Sequence, residues 1–283
     1  MSVSLEHYVK QHRNSDIKVA FFDVDGTLLD AGGNYPKRLA KSLRRAQALG
    51  VKTAVASGRP YFATQFLWHD LGLVDTGVFC TGAQIFEPKT GKVHRSMVLS
   101  DALVRSLLST LRNSSLYYEL YTKNGIYVER DVAPDILAVH AAHLRATPTL
   151  MNFDLIAEPV VKLLVGADTQ RDNSALSQLE RQFPECTFAY AALPAYPSWS
   201  FASIIDKAAC KRSAYDYLID YYQVKSENVI SFGDAQSDMA FISMAGIGVA
   251  MGNASAAVKA VADIVTAPVW DDGVADVLDA LIA

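Results

Sequence analysis

Four aspartates stand at or just after the ends of two hydrophobic segments of the sequence. Asp23 and Asp25 end the segment VAFFDVD, and Asp234 ends the segment NVISFGD, with Asp238 four residues further on. Two carboxylates this close repel each other unless a positive charge lies between them. Oxygen ligands grouped in this way favour a hard divalent cation, for which Mg²⁺ is the usual choice. If the two segments form neighbouring strands, three or four carboxylates converge, and the sequence predicts a Mg²⁺ site.

A second group of residues could balance this charge and hold an anion. Ser57 and Gly58, in the segment ASGRP, stand where a strand is predicted to end and a helix to begin. A hydroxyl group and free backbone N–H groups at such a point bind oxyanions. A lysine near the start of a helix predicted over 207–222 adds a positive charge. Carboxylates, a metal ion, amides and a lysine together are typical of a phosphoryl-transfer site.

The elements that must position these residues alternate between strand and helix in the first and last parts of the chain. Short apolar runs rich in β-branched and aromatic residues predict buried strands, and Pro in a first turn or Gly after a last turn marks helices. The alternation favours a doubly wound, Rossmann-like parallel α/β sheet, in which ligands bind at the carboxyl ends of strands. The predicted strands are 18–24, 51–57, 76–80, 228–234, 246–253 and 263–266, and the predicted helices are 36–49, 60–71, 207–222, 237–245 and 272–283.

The middle of the chain has a different pattern. Its predicted strands are half-exposed, and a hairpin is predicted around residues 89–91. This favours a separate α+β domain of residues 83–203, inserted into a core of residues 1–82 and 204–283. Linkers are expected near 82–85 and 200–206, about which the two domains would open and close. Within the inserted domain, helices are predicted near 101–113, 133–144 and 172–182, and strands near 116–121, 125–129, 160–166 and 186–192.

Composition and charge argue against several classes of partner. The net charge of −4 and the isoelectric point near 5.9 imply no basic face, so nucleic acid is not an expected partner. Three widely spaced cysteines without a CxxC pair favour a reducing compartment over a disulfide or a structural zinc site. The apolar runs are too short to span a bilayer, and the polar start lacks the apolar region of a signal peptide. We expect a cytoplasmic protein without membrane contact, whose oligomeric state stays open.

The motifs and their order resemble those of the haloacid dehalogenase superfamily of phosphatases. The segment DVDGT (23–27) is similar to its first motif, SGR (57–59) to its second and GDAQSD (233–238) to its fourth. The tail GIGVAMGNASAAVKAVADIVTAPVWDDGV (246–274) resembles specifically the Cof-type branch, subclass IIB. In that branch a large cap of the C2 type is inserted between the second and third motifs, which agrees with the α+β insertion predicted above.

The resemblance implies a role for each motif residue. Asp23 would attack phosphorus and become an aspartyl phosphate, while Asp25 would protonate the leaving alcohol and then activate water. Mg²⁺ would be held by Asp23, Asp234 and the backbone carbonyl of Asp25, and Asp238 would orient its water shell. The residues expected to bind the phosphoryl group are Ser57, Gly58, Lys211, Thr27 and Asn253.

The lysine of the third motif has two candidates in this sequence. In the family, a small residue follows the lysine three positions later and an apolar residue follows it seven positions later. Lys211 has Ala214 and Leu218 at those places, whereas Lys207 has Cys210 and Ala214. Lys211 is therefore the preferred residue.

Two positions depart from the family pattern. Ser237 and Thr81 stand where the family usually has asparagine. The hydroxyl group of Ser237 can still form a hydrogen bond. The change at Thr81 is expected to alter how the cap and the substrate meet.

Specificity is expected to lie in cap residues that enclose the leaving group. Three residues of the cap region are candidates: Arg145, Tyr196 and Trp199. His140 and His143, three positions apart, have no further ligand pattern for zinc and are interpreted as part of a surface helix. The tyrosines at positions 117, 118, 121 and 127 are interpreted mainly as packing residues of the cap sheet.

The favoured function is a Mg²⁺-dependent phosphatase of small phosphorylated metabolites, such as sugar phosphates, pyridoxal phosphate or flavin mononucleotide. Two alternatives stay open: a phosphomutase or phosphotransferase of the same fold, and a non-catalytic ligand-binding or regulatory protein. A response-regulator receiver also pairs an aspartate cluster with a lysine, but it is a single short domain. A P-type ATPase shares an aspartate-based first motif, but it needs membrane spans.

Overall fold

A computed structural model of the chain describes residues 16–130, 133–191 and 196–282. Short 3₁₀ turns, such as Tyr61–Thr64 and Gln236–Asp238, lie between several of its regular elements. The strands in the described part of the chain are β1 (Val19–Phe22), β2 (Lys52–Val55), β3 (Gly77–Phe79), β4 (Gln84–Glu87), β5 (Lys92–Ser96), β6 (Tyr117–Tyr121), β7 (Ile126–Val128), β8 (Thr149–Leu150), β9 (Lys162–Asp168), β10 (Cys186–Ala191), β11 (Trp199–Asp206), β12 (Val229–Gly233), β13 (Ile247–Ala250) and β14 (Ile264–Val265). The helices are α1 (Leu39–Ala48), α2 (Gln65–Leu71), α3 (Asp101–Arg112), α4 (Pro134–Leu144), α5 (Ala175–Gln182), α6 (Lys211–Tyr222), α7 (Met239–Met244), α8 (Ala256–Val261) and α9 (Gly273–Leu281).

Five strands form a parallel sheet in the order β14-β13-β12-β1-β2. β1 lies between β12 and β2, so that Phe22 is opposite Phe232 on one side and Val55 on the other. The two strands that carry the aspartates are therefore neighbours. Because parallel strands end at the same edge of a sheet, Asp23 and Asp234 are brought to one place.

Helices cover both faces of this sheet. Successive side chains of β1 point to opposite faces. On one face Phe22 stacks on Phe232, with ring centroids 5.0 Å apart, in an apolar cluster that includes residues of α1 and α9. On the other face Phe21 meets Phe241 edge-on at 5.2 Å, in a cluster that includes Ala214 and other residues of α6. The doubly wound architecture predicted from the sequence is confirmed.

A short antiparallel sheet of β3, β4 and β5 continues the core beside β2. A single parallel bridge between Ala56 and Val78 connects β3 to the main sheet. The predicted hairpin is present as β4 and β5, but it pairs with β3, and its Ile85 and Phe86 belong to the apolar clusters of the core. The hairpin thus packs with the core, and the division of the chain at residues 82–83 and 203–204 stays a prediction.

The inserted α+β unit is built on six strands in the order β10-β11-β9-β6-β7-β8, antiparallel except for the β7–β8 pair. The leucines of α3 and α5, such as Leu107 and Leu176, pack on one face of this sheet. Ile136 and Leu144 of α4 belong to the apolar cluster on the other face, which also includes Ala63 of the core. Helix α4 therefore lies where the inserted unit meets the core.

The predicted linkers are wrong, because both segments lie at least partly in regular structure. Residues 200–206 belong to β11, which pairs with both β9 and β10, and residues 84–85 belong to β4. The segment of β11, WSFASIID, mixes Ser and Ala with large apolar residues, so it lacks the alternation of a half-exposed strand. Helix α8 was also not predicted. Helix α6 begins at Lys211, four residues later than predicted, because Cys210 Sγ caps it by accepting from the N–H of Ser213 at 3.4 Å.

Candidate active site

Asp23 and Asp25 lie on a tight turn directly after β1. The backbone N–H of Asp23 donates to Phe232 O at 3.1 Å, which ties the turn to β12. Gly26 has a φ of +84°, and a Cβ atom at this position would lie 2.2 Å from Asp234 Oδ2. Glycine is therefore needed both for the backbone conformation and for the close approach of Asp234.

Three carboxylates gather at the edge of the sheet. Oxygen atoms of Asp23, Asp234 and Asp238 lie within 4.8 Å of one another. Burial and the negative charge of Asp238 raise the pKa of Asp23, although the ammonium of Lys211 opposes this. Burial, then Asp238 and Asp25, raise the pKa of Asp234 to about 7. Concentrated negative charge with only oxygen donors fits a hard divalent cation such as Mg²⁺.

Lys211 supplies the positive charge of the cluster. Its Nζ donates to Asp238 Oδ1 at 2.5 Å, to Ala56 O at 2.7 Å and to Asp23 Oδ1 at 3.3 Å. Burial lowers its pKa, but the two aspartates outweigh burial and raise the pKa above its ordinary value. Lys207, the other candidate, donates instead to Pro184 O at 2.7 Å on the protein surface.

Asp238 fixes the loop that follows β12. Its Oδ2 accepts from the N–H groups of Asp234 and Ala235, at 3.1 and 2.9 Å. Ser237 Oγ donates to Asp238 Oδ1 at 3.2 Å, so the serine that departs from the family pattern does form a hydrogen bond. Asp238 thus links Lys211 to this loop and holds Asp234 in place.

Thr27 and Asn253, predicted to bind phosphate, contact Asp234 in the structure. Thr27 Oγ1 donates to Asp234 Oδ1 at 3.5 Å. Asn253 Nδ2 donates to Asp234 Oδ2 at 3.2 Å and to Gly26 O at 2.8 Å. Their contribution to phosphate binding stays a prediction.

Ser57 and Gly58 follow β2 at the same edge of the sheet. Ser57 is buried, and its Oγ accepts from the backbone N–H of Arg59 at 3.2 Å. A 3₁₀ turn at Tyr61–Thr64, rather than an α-helix from residue 60, comes next. The structure therefore brings the predicted motif residues together at one edge of the sheet.

Arg59, the third residue of the SGR motif, is a site residue that was not predicted. The residue is 3% exposed, and its guanidinium forms a two-pronged ion pair with Asp25, with Nε–Oδ2 2.9 Å and Nη2–Oδ1 2.6 Å. Burial raises the pKa of Asp25, but hydrogen bonds from Arg59 and His143 outweigh burial and hold that pKa well below its usual range. The sequence signal for Arg59 was the charge of Asp25, which needs a cation close by.

Helix α4 has an exposed side, as a surface helix should, but His140 and His143 lie on its other side. His140 Nδ1 lies 2.8 Å from Oε1 of Glu119, which is fully buried. His143 Nε2 lies 3.1 Å from Asp25 Oδ1. The three-residue spacing places both rings on one side of α4, and that side faces the inserted sheet and the core.

The three cap-region candidates lie in different places. Arg145 reaches the core, where its Nη2 donates to Gly33 O at 2.9 Å and its guanidinium carbon lies 3.9 Å from the ring centroid of Phe66. Trp199 and Tyr196 are partly buried in the apolar cluster beneath α4. Of the four tyrosines, those at 117 and 121 donate to Glu119, that at 118 donates to Glu129, and that at 127 packs on the apolar cluster of α3 and α5.

Replacing Thr81 by asparagine is expected to stabilise the protein by about 1 kcal/mol, because β-branched residues tolerate the left-handed region poorly and asparagine tolerates it well. Thr81 is buried with a φ of +60°, between Cys80 and Gly82, which also have positive φ. Urea unfolding checks this, with Thr147→Asn, an exposed threonine, as the control. If the Thr81→Asn protein were no more stable than the wild type, the positive φ of Thr81 would not be a source of backbone strain.

Comparison with known proteins places the chain in a family. A family model described as haloacid dehalogenase-like hydrolase matches residues 20–278, so the chain belongs to this family. Among solved structures, the HAD subclass IIB sugar phosphatase BT4131 superposes with a TM-score of 0.78 at 26% identity, over 93% of this chain and 98% of that one. The Cof-type resemblance of the sequence is thereby confirmed.

Two curated relatives are named for their substrates. The 5-amino-6-(5-phospho-D-ribitylamino)uracil phosphatase YitU of Bacillus subtilis is 28% identical over 268 residues, which cover 89% of this chain and 93% of the relative. The pyridoxal phosphate phosphatase YbhA of Escherichia coli is 25% identical over 264 residues, covering 91% and 96%. With the family membership, these relatives identify the chain as a phosphoric monoester hydrolase. Among the described residues, no helix is both long and apolar enough to cross a membrane.

Proposed function

We propose that the protein is a Mg²⁺-dependent phosphatase of small phosphomonoesters that works through an aspartyl phosphate on Asp23. The observation that carries the proposal is the group of three carboxylates, two of them buried and hydrogen-bonded to Lys211. This geometry supports the proposal, in which the cluster supplies a nucleophile, a set of metal ligands and a fixed positive charge. A purely structural cluster would have no need for three carboxylates against a single ammonium, since the excess negative charge is costly.

Asp23, Asp234 and Asp238 are the side chains that would hold the metal ion or its water shell. When bound, Mg²⁺ would neutralise the cluster and polarise the phosphoryl oxygens, which is worth several kcal/mol of charge stabilisation in such sites. The backbone carbonyl of Asp25, predicted as a further ligand, belongs to the same turn.

The side chains of the site divide the reaction between them. A carboxylate oxygen of Asp23 forms a bond to phosphorus while the bond from phosphorus to the ester oxygen breaks. Asp25, which is ionised in the free protein, takes up the proton that a phosphomonoester monoanion carries and passes it to the departing alcohol. It then takes a proton from the water that attacks the aspartyl phosphate. Lys211, Ser57 and the backbone of Gly58 hold the phosphoryl oxygens, and this binding strengthens as charge develops on them.

The substrate class is proposed from the relatives of the chain. YitU, YbhA and BT4131 are named for a phosphorylated ribitylaminouracil, pyridoxal phosphate and sugars. All three names describe phosphomonoesters of small molecules with polar leaving groups. The inserted unit also reaches the site through α4, whose His143 contacts Asp25. We therefore propose a small phosphorylated metabolite as the substrate.

Phosphate release is expected to need Mg²⁺ and to fall at least about 100-fold when the ion is chelated, since the ion supplies several kcal/mol. The assay uses purified protein with pyridoxal 5′-phosphate, flavin mononucleotide, the phosphorylated ribitylaminouracil and hexose 6-phosphates. Added Mg²⁺ should restore the rate after chelation.

A pair of variants tests which carboxylates bind the ion. Asp234→Asn should raise the Mg²⁺ concentration that gives half the maximal rate. Asp216→Asn, on the exposed side of α6, should leave it unchanged. Phosphate release that chelation does not affect, or no release from any ester, would overturn the proposal.

A further inference from the structure

Helix α4 of the inserted unit delivers one side chain into the site of the core. His143 Nε2 lies 3.1 Å from Asp25 Oδ1 and 3.3 Å from Nη2 of Arg59. The histidine ring is mostly buried, with 23% of its side chain exposed. Asp25 is therefore held from two directions, by Arg59 from the core and by His143 from the inserted unit.

A buried carboxylate fixes the helix that carries His143. Glu119, on β6 of the inserted sheet, accepts hydrogen bonds from the hydroxyl groups of Tyr117 and Tyr121. The same carboxylate lies 2.8 Å from Nδ1 of His140, one turn before His143 on α4. Burial of Ile136 and Leu144 in the apolar cluster beneath α4 adds packing at both ends of the helix. The direction of the His143 side chain is thus set by the inserted sheet.

We propose that His143 is a positioning residue for Asp25, and that it orients the acid–base carboxylate only while the inserted unit rests on the core. This inference rests on the proposed function, because it assigns to His143 an effect on the proton that Asp25 transfers. Arg59 and Asp25 both belong to the core, so their ion pair persists whatever the inserted unit does. The contact with His143 exists only when α4 and the core are together, so docking of the inserted unit and orientation of Asp25 are one event.

The chemistry of the leaving group distinguishes this role from a merely structural one. An alkyl alcohol must receive a proton as it departs, whereas p-nitrophenolate departs without one. General acid catalysis is worth about 10²–10⁴-fold, and a misplaced acid loses part of that factor. Since kcat/KM covers the steps up to release of the alcohol, it reports this proton transfer and not the later hydrolysis.

The experiment compares two esters in the wild type and in His143 variants. With pyridoxal 5′-phosphate, or whichever alkyl ester the substrate panel ranks above it, His143→Ala should lower kcat/KM about 30-fold. With p-nitrophenyl phosphate, kcat/KM of the same variant should fall by less than about 3-fold. His143→Gln keeps a side-chain amide that can reach Asp25, so most of the loss for the alkyl ester should be recovered.

Controls separate the possible outcomes. His69→Ala, at an exposed position of α2, should leave both esters unaffected, and thermal unfolding should show that each variant is folded. Equal losses for the two esters, or no loss for either, in a folded His143→Ala protein would overturn the positioning role alone. Should His143→Ala not fold, a loss in His143→Gln that is equal for the two esters would overturn it as well. A wild-type protein that releases phosphate from neither ester would overturn the proposed function and the positioning role with it.

Discussion

Asp23→Asn is expected to lower kcat by at least about 10⁴-fold, because asparagine cannot form the aspartyl phosphate. The fold should survive the change. Burial and Asp238 raise the pKa of Asp23, so its charged form is unfavourable in the folded protein, and the neutral amide removes that cost. In Mg²⁺-free buffer the melting temperature should therefore stay the same or rise. Phosphate release and thermal unfolding on the same preparation check both parts.

Asp25→Asn is the matched control for the effect on stability. The pKa of Asp25 lies below its usual range, so its charge stabilises the folded state at neutral pH. Removing that charge leaves the buried guanidinium of Arg59 without its carboxylate, and the melting temperature should fall. More than about 1% of wild-type activity in Asp23→Asn would contradict its role as nucleophile. If the melting temperature changed in the same direction in both variants, the charges of Asp23 and Asp25 would not have the opposite effects on stability inferred here.

The opposite environments of these two aspartates explain how β1 can end in two carboxylates. Lys211 lies 3.3 Å from Asp23, whereas Arg59 binds both oxygens of Asp25. The two carboxylates thus face different cations, and Asp23 shares Lys211 with Asp238. The negative charge that stays uncompensated belongs to the cluster of Asp23, Asp234 and Asp238, which is where the proposed metal would bind.

The positions of the aspartates could be predicted because they depend on strand register. A short apolar run that is buried on both faces is a strong signal for a parallel strand, and its carboxyl end is the edge where ligands bind. Lys211 could be chosen over Lys207 because the residues that follow it resemble the third motif of the family. In both cases the signal lies within a few residues of the site residue.

The contacts of Arg59 and His143 could not be predicted in the same way. Asp25 and Arg59 are 34 residues apart, and the loop between β2 and the 3₁₀ turn decides which way Arg59 points. His143 depends on how α4 packs between two units, and two histidines three residues apart are equally typical of an exposed helix. Strand β11 could not be predicted for the same reason, because its burial depends on its two neighbouring strands and not on its own sequence pattern.

Glu119→Gln is expected to lower the free energy of unfolding by about 3 kcal/mol near pH 6, because it removes a buried charge that has three partners. Burial raises the pKa of Glu119, but His140 and the two tyrosine hydroxyls outweigh burial and bring the pKa below its ordinary value of 4.5. A carboxylate whose pKa falls on folding contributes stability above its unfolded pKa, and this contribution is lost as the pH falls through the folded value. The difference between wild type and variant should therefore shrink as the pH falls below about 4.5.

Urea unfolding at several pH values, followed by tryptophan fluorescence, measures this difference. Glu180→Gln is the matched control, because Glu180 is exposed on α5 and also accepts a tyrosine hydroxyl, that of Tyr190 at 2.7 Å. Its effect should be within about 0.5 kcal/mol at every pH, since exposed polar contacts contribute little. A Glu119→Gln effect that does not change with pH would mean that packing, and not the charge of Glu119, holds α4. If the effect does shrink at low pH, the charge of Glu119 holds α4. Because α4 carries His143, Glu119→Gln should then also lower kcat/KM more for the alkyl ester than for p-nitrophenyl phosphate.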